Sequence, residues 1–450
     1  MQVDAKQMQS GSSKPPGADL LTGLFRHEAG RLVASLSRVL GPHNIELAED
    51  VVQDALETAL QSWKLQIPDN PAAWLTRVAR NRALDLIRRA GTERRFAAEY
   101  VEQPDSEWML SSTVEDSLSE AAAAENQIRM MLTICQVDLG EETHVTLILK
   151  FLCGFSTREI AAAYLTSDAT IDKRLQRGRA ALKKKLSLVP SNARFDRTIL
   201  DSVLAALYLL FSEGYHGSHA SSPVRGVLCE EALRLCALLT EEALSESDQE
   251  ASPNAHALMA LMCLHFARIE GRVDAEGALL PLELQDRLTW SHEFIDRGVV
   301  HLAAAASGVE LSRYHLEAGI ACLHCTAPSV EETNWSEVLH LYELLKAQSG
   351  NPVVAICCAL ARAMCGDVHA ALIEIVTLGA EPRLLDYPFY WAARGEINAR
   401  AQCADEAAEC FGYAARCARN PPEQHAFLRD DWWGRLRIGD GVTATQAPES

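Results

Sequence analysis

Four side chains near residue 172 are of the types that read nucleic-acid bases. Asp172, Lys173, Gln176 and Arg177 are spaced so that a helix would carry all four on one outward strip. Carboxylate, amide and guanidinium are the groups that pair with base edges in a major groove. Thr170 and Arg174 flank the strip, and Arg179, Lys183, Lys184 and Lys185 follow it, better placed for phosphates. A second set, Asp50, Gln53, Asp54 and Glu57, forms an acidic strip that is either a protein-docking face or a solvated one. A third set follows a Pro-bracketed loop: Asp69 and Asn70, then Trp74, Arg77, Arg80, Asn81 and Arg88. Its arginines suit phosphates or acids of their own domain, and Trp74 could stack on a base or fill a core.

These sets need helices to hold them. Residues 20–40 repeat apolar side chains at helical spacing, and Gly41-Pro42 ends the run. In the next segment Val51, Val52, Ala55, Leu56, Ala59, Leu60 and Trp63 form one stripe, with the acidic strip away from it. Residues 65–70 form a loop. Pro71 suits a first helical turn with Asn70 as its cap, and Leu75, Val78, Ala79, Ala83 and Leu86 give the inner face. Ser156, three before Glu159, has capping-box spacing for a helix over 157–164. Ser167 caps a second helix whose inner stripe is Ile171, Leu175 and Leu182. Two short helices with a tight turn, the second basic, make a helix-turn-helix.

Charge divides the 450 residues unevenly. The total is −19, yet residues 1–190 carry 23 Lys+Arg against 25 Asp+Glu, and the remainder carries a net −17. Residues 71–95 hold seven arginines and two acids; residues 150–185 hold nine basic residues and three acids. Between them, 99–125 contains eight acids and no base, an acidic linker over 96–120. Screening confines each field to roughly 8 Å, so the two basic stretches act locally despite the acidic total.

No apolar run exceeds nine residues, well short of the about 20 that a membrane span needs. The first 19 residues read as a flexible tail without a secretory signal, and 438–450 as a disordered tail. Thirteen irregularly spaced cysteines are expected as reduced thiols of a cytoplasmic protein. No phosphate loop, nucleophile elbow or HExxH motif is present, so neither enzyme nor cofactor is expected. His315, Cys322, His324 and Cys325 are the nearest metal candidate, and Cys403, Cys410 and Cys417 recur every seven residues; core packing accounts for both. From 190 to 437 the chain is rich in Ala and Leu. Trp391, Gly395, Ala407, Phe411 and Ala414 follow tetratricopeptide spacing, with Gly366, Asp367 and Ala371 matching earlier.

Together these elements resemble a bacterial sigma factor of the sigma-70 family, extracytoplasmic-function type. AEDVVQDALETAL resembles the region 2.2 helix, NPAAWLTRVARNRALDLIRR regions 2.3–2.4, and STREIAAAYLTSDATIDKRLQRGRAALKK region 4.2. LAALYLLFSEGY, LALMCLHFARIEGR, LQDR and RYHLEAGIACLH resemble the extension of one subclass, fused after the second DNA-binding unit. The resemblance implies an all-α chain with region 2 at 20–95, region 4 at 121–187 and a helical-repeat extension. It implies that Asp50, Gln53, Asp54 and Glu57 contact core RNA polymerase at the β′ coiled coil, with the β flap as a further contact. Asp69, Asn70, Trp74, Arg77, Arg80, Asn81 and Arg88 would engage the −10 element, where loop 65–70 pockets a flipped base. Thr170, Asp172, Lys173, Arg174, Gln176 and Arg177 would read the −35 element.

The family departs from this chain at three points. Leu165 stands at the turn where glycine is usual, Asp172 is acidic at an often basic site, and Ser212 replaces a usual asparagine. The subclass implies an extension that regulates or supports activity in cis, with a DGPF-type protein as a candidate partner. Its acidity suits peptides or basic surfaces, the basic helix of region 4 among them. The rival reading is a helix-turn-helix regulator with a tetratricopeptide-like sensor domain, binding promoter DNA without polymerase.

Overall fold

The computed structural model describes residues 18–63, 66–97, 117–164, 166–186, 197–215, 224–240, 253–274, 279–308, 310–418 and 421–428. Among them every extended element is helical, with one isolated bridge between Val273 and Leu279. Contacts divide the chain into two units, Met1–Val203 and Leu204–Ser450.

The first unit begins with α1 (Ala18–Leu40), stopped at Gly41, whose φ of 92° favours glycine. A short 3₁₀ turn, Pro42–Asn44, leads into α2 (Ile45–Ser62). The α2 stripe is shifted from the expected one. Ile45, Ala48, Val51, Val52, Ala55 and Ala59 are buried, but Leu60 is 56% exposed. The helix turns Leu60 to solvent at its last turn while Trp63 closes the core behind it. Asn70 caps α3 (Pro71–Ala97) by accepting from the Ala73 N–H at 3.0 Å. Leu75, Ala79 and Ala83 are buried on α3 as their spacing requires.

Four further helices complete the unit: α4 (Glu120–Cys135), α5 (Glu141–Leu152), α6 (Thr157–Ala163) and α7 (Asp168–Lys185). Most of the expected acidic linker lies outside the described residues, but Glu120 and Glu125 belong to α4, which Ser119 caps. The Ser156–Glu159 capping box forms on α6, and Ser167 accepts from the Thr170 N–H to start α7. Leu165, at the turn, lies outside the described residues. Helix α1 packs against α2, α3, α4 and α5, so all seven helices share one body. Two glycines permit the close approaches. A Cβ at Gly30 would lie 2.0 Å from the Leu152 carbonyl oxygen, and one at Gly178 would lie 2.9 Å from the Leu147 side chain.

Helix α8 (Arg197–Tyr215) crosses the division between the units. The second unit continues with α9 (Gly226–Thr240) and α10 (Pro253–Phe266), which buries every position from 254 to 264 except His256. Short 3₁₀ turns then lead to α11 (His292–Ala305), α12 (Arg313–Thr326), α13 (Trp335–Ser349), α14 (Pro352–Met364) and α15 (Val368–Leu378). A four-residue α16 (Pro382–Leu385) precedes α17 (Pro388–Arg400), α18 (Ala404–Cys417) and α19 (Pro421–Leu428). The tetratricopeptide spacing marks real contacts. A Cβ at Gly395 would lie 2.9 Å from the Phe411 ring, so small meets large between α17 and α18. Gly366 makes the turn at φ 94°, Asp367 caps α15 and Ala371 is fully buried.

All thirteen cysteines are free. Burial pushes the Cys135 and Cys229 thiols up to about 12, so both are poor nucleophiles near neutral pH. Among the described residues no helix is long and apolar enough to cross a membrane.

Candidate nucleic-acid interface

Helix α7 presents Thr170, Asp172, Lys173, Gln176 and Arg177 to solvent while Ile171, Leu175, Gly178 and Leu182 are buried. The outward strip is therefore present and its first turn is fixed by Ser167, whose hydroxyl lies 2.9 Å from that of Thr170. Arg177 leans back along the helix, its Nε donating to the Lys173 carbonyl at 3.3 Å. Lys183, Lys184 and Lys185 extend the cationic surface beyond it.

Two arginines of that helix depart from expectation. Arg174 has a side chain only 13% exposed; it pairs with Glu142 and lies 5.0 Å from the Tyr164 ring centroid. It locks α7 onto α5 and α6 and does not belong to the outward strip. Arg179, assigned to phosphates by sequence, reaches Glu49 at 3.3 Å and Glu46 at 3.7 Å, both on α2, and lies 5.1 Å from the Phe151 ring. Lys150 approaches the same Glu49 at 3.9 Å. Burial raises the Glu49 carboxyl above its ordinary range, against the lowering pull of Lys150 and Arg179. A further bridge joins the two halves of the unit. Arg26 on α1 donates to Glu159 at 2.7 Å, the same carboxylate that completes the α6 capping box.

The acidic strip on α2 is exposed at Asp50, Gln53, Asp54 and Glu57. Of these, Asp54 pairs with Arg82 of α3 at 2.8 Å, an exposed pair of small worth. On the arginine helix α3, Arg77, Asn81 and Arg88 are exposed and Arg80 is half-buried. Arg88 lies 3.6 Å from Asp85, an internal pair of the kind expected for α3. Asp69 and Asn70 are exposed before α3. Trp74 is half-buried, edge-on to Trp63 with ring centroids 5.4 Å apart, and Trp63 in turn packs 5.4 Å from Phe25. One edge of Trp74 is thus core and the rest is reachable.

The metal candidate does not come together. His315 has both ring nitrogens occupied, Nδ1 at Ser312 and Nε2 at the Ala305 carbonyl, and Cys325 donates to the Leu264 carbonyl. No group of three or more ligating side chains placed to hold a metal ion occurs among the described residues. Cys403 caps α18, which carries Cys410 and Cys417.

Glu46 and Glu49, three residues apart on the amphipathic α2, form a second acidic edge beside the exposed strip, a signal present in the sequence.

Comparison with known proteins agrees with this geometry. Residues 24–93 match the family model for sigma-70 region 2, and residues 139–182 that for sigma-70 region 4. Residues 199–306 match a family of unknown function, DUF6596. An uncharacterized protein, R00370 of Rhizobium meliloti, is 32% identical over 86% of this chain and 89% of its own. The ECF RNA polymerase sigma factor SigW of Bacillus subtilis is 29% identical over 33% of this chain and 79% of its own. No solved structure matches.

Proposed function

Because the chain belongs to the sigma-70 family, extracytoplasmic-function type, we propose that it directs RNA polymerase to a −10 and a −35 element and helps melt the DNA at the first. In this reading the exposed Asp50, Gln53, Asp54 and Glu57 dock on the β′ coiled coil. Asp69, Asn70, Trp74, Arg77, Arg80, Asn81 and Arg88 engage the −10 element, and Thr170, Asp172, Lys173, Gln176 and Arg177 read the −35 element. The observation that carries it is the exposed α7 strip, whose carboxylate, amide and cations all face outward from a capped, buried inner stripe. Asp172 there suits a cytosine amino group.

The reading requires a change of shape. Arg179 of the −35 helix lies 3.3 Å from Glu49 of the docking helix. The two promoter elements are, by their names, roughly 25 base pairs or ~85 Å of duplex apart. One closed body cannot sit on both. Engagement therefore breaks the Arg179–Glu49, Lys150–Glu49 and Arg26–Glu159 pairs and separates α1–α3 from α4–α7. Engagement must also break the packing of α1 on α4 and α5 beside these pairs.

The extension acts in cis, supporting or restraining initiation, with no catalytic step of its own. The work is done beside polymerase, in the cytoplasm. Run-off transcription with purified core polymerase tests the reading, since a regulator without polymerase docking would bind the promoter equally well alone.

A further inference from the structure

The irregular stretch between α10 and α11 gathers cations where the domain is otherwise acidic. Arg268 and Arg272 are each 9% exposed and Trp290 is 3% exposed. The guanidinium of Arg268 lies 5.1 Å, and that of Arg287 4.6 Å, from the Trp290 ring centroid. Arg272 stands over Tyr215 at 3.7 Å and is close enough to Arg268 for their charges to disfavour each other.

Among the described residues the hydrogen-bond acceptors of these three arginines are neutral. Arg268 donates to Gln285 Oε1 at 3.1 Å and 3.3 Å, Arg272 to the Tyr215 carbonyl, and Arg287 to the His324 and Ala327 carbonyls, both at 2.7 Å. Among the described residues no carboxylate forms an ion pair with any of them. Elsewhere in the unit Arg225, Arg234, Arg362 and Arg400 pair with glutamates. Glu331, an exposed residue, favours the Arg287 charge electrostatically.

Donors are also left over. Arg287 Nη2, Trp290 Nε1 and His324 Nδ1 are buried without a hydrogen-bond partner. Burial, then Arg268 and Arg287, bring His324 down to about 4, so it is neutral at pH 7 and adds no charge. A carbonyl-capping role accounts for part of this, since Arg287 closes the end of α12. It leaves the indole N–H unused and the buried Arg268 and Arg272, with the half-buried Arg287 beside them, without a carboxylate partner among the described residues. Buried donors without acceptors point to a missing acceptor.

We propose that Arg268, Arg272, Arg287 and Trp290 form a binding site for a small dianionic oxyanion of the phosphate-monoester class. Planar guanidinium forks match phosphate oxygens, and a charge of about −2 at pH 7 answers three cations better than a monocarboxylate does. Thr289 Oγ and Trp290 Nε1 pack directly on Gly271, so closely that a Cβ there would lie 2.8 Å and 3.1 Å from them, which fixes the indole edge in place. The extension would then be a sensor whose occupancy tightens the α10–α11 junction. This stands whether or not the chain serves polymerase.

The test is thermal unfolding of the full chain titrated with inorganic phosphate, at ionic strength held constant with chloride. A saturable rise in Tm is expected for the wild type and for Arg383→Gln, an exposed control. In Trp290→Phe and Arg287→Gln the apparent affinity should fall at least ~5-fold. Trp290→Phe keeps the ring and removes only the N–H, so it decides the matter should Arg287→Gln misfold. No saturable phosphate effect on the wild type, or an undiminished one in Trp290→Phe, overturns the site. An equal response to acetate overturns the dianion class.

Discussion

Arg179, on the helix that carries the proposed base-reading strip, holds Glu49, on the helix that carries the proposed docking strip, at 3.3 Å. Within two helical turns of Arg179, Lys173, Gln176 and Arg177 face solvent. The two proposed surfaces are thus tied together by side chains that belong to neither. Reversing that charge should loosen the tie. Arg179→Glu is expected to enlarge the radius of gyration by small-angle scattering while leaving helix content unchanged. An unchanged radius would mean that apolar packing of α1 on α4 and α5 alone holds the body closed.

Glu49 gives a pH signature. Burial raises its carboxyl in the folded chain above its unfolded value, Lys150 and Arg179 notwithstanding. Such a group contributes stability that is fully present below the unfolded value, near 4.5, and is lost as pH rises through the folded one. The unfolding free energy of wild type minus that of Glu49→Gln should therefore grow as pH falls from 7 toward 4.5. Urea denaturation at pH 7 and pH 5 checks this; a flat or opposite trend contradicts it.

Arg174 and Arg177, three residues apart, should behave oppositely. Arg177 is exposed, so Arg177→Ala should spare the fold and weaken promoter binding of the holoenzyme by about 1–3 kcal/mol, roughly 5- to 150-fold. Arg174 ties α7 to Glu142 and Tyr164, so Arg174→Ala should lower Tm first. Melting curves and filter-binding on both variants separate the two roles.

Asp50→Ala with Gln53→Ala should leave Tm within ~1 °C of wild type, since both side chains are exposed, and reduce affinity for core polymerase by at least ~10-fold. Normal capture of polymerase by the double variant would remove the docking assignment. Asp54 is the poorer choice because its substitution also frees Arg82.

Much of this architecture was legible in local signals. Ser156 with Glu159, Ser167 and Asn70 capped the helices they should, because capping is decided within four residues. The inner stripe of α7 was legible because helical period alone sorts Ile171, Leu175 and Leu182 from Asp172 and Gln176. The fates of Arg174 and Arg179 were not. Each is a cation on a basic helix, and only tertiary contact with Glu142, Glu46 and Glu49 distinguishes it from Arg177. Leu60 failed for a related reason: periodicity places it on the stripe, but the last turn of α2 has no neighbour to cover it. Arg268, Arg272 and Arg287 lie in motifs that sequence could mark as part of the extension, yet their gathering around Trp290 needs the folded turns between α10 and α11.

Initiation at new promoters is what the proposed role requires, and run-off transcription reads it most directly. Purified core polymerase, the full-length chain and a library of promoter fragments should yield new start sites, each preceded by shared −10 and −35 sequences. Lys173→Ala with Arg177→Ala should suppress those transcripts at least ~10-fold. Folded, full-length protein that adds no start site to core polymerase would contradict the account.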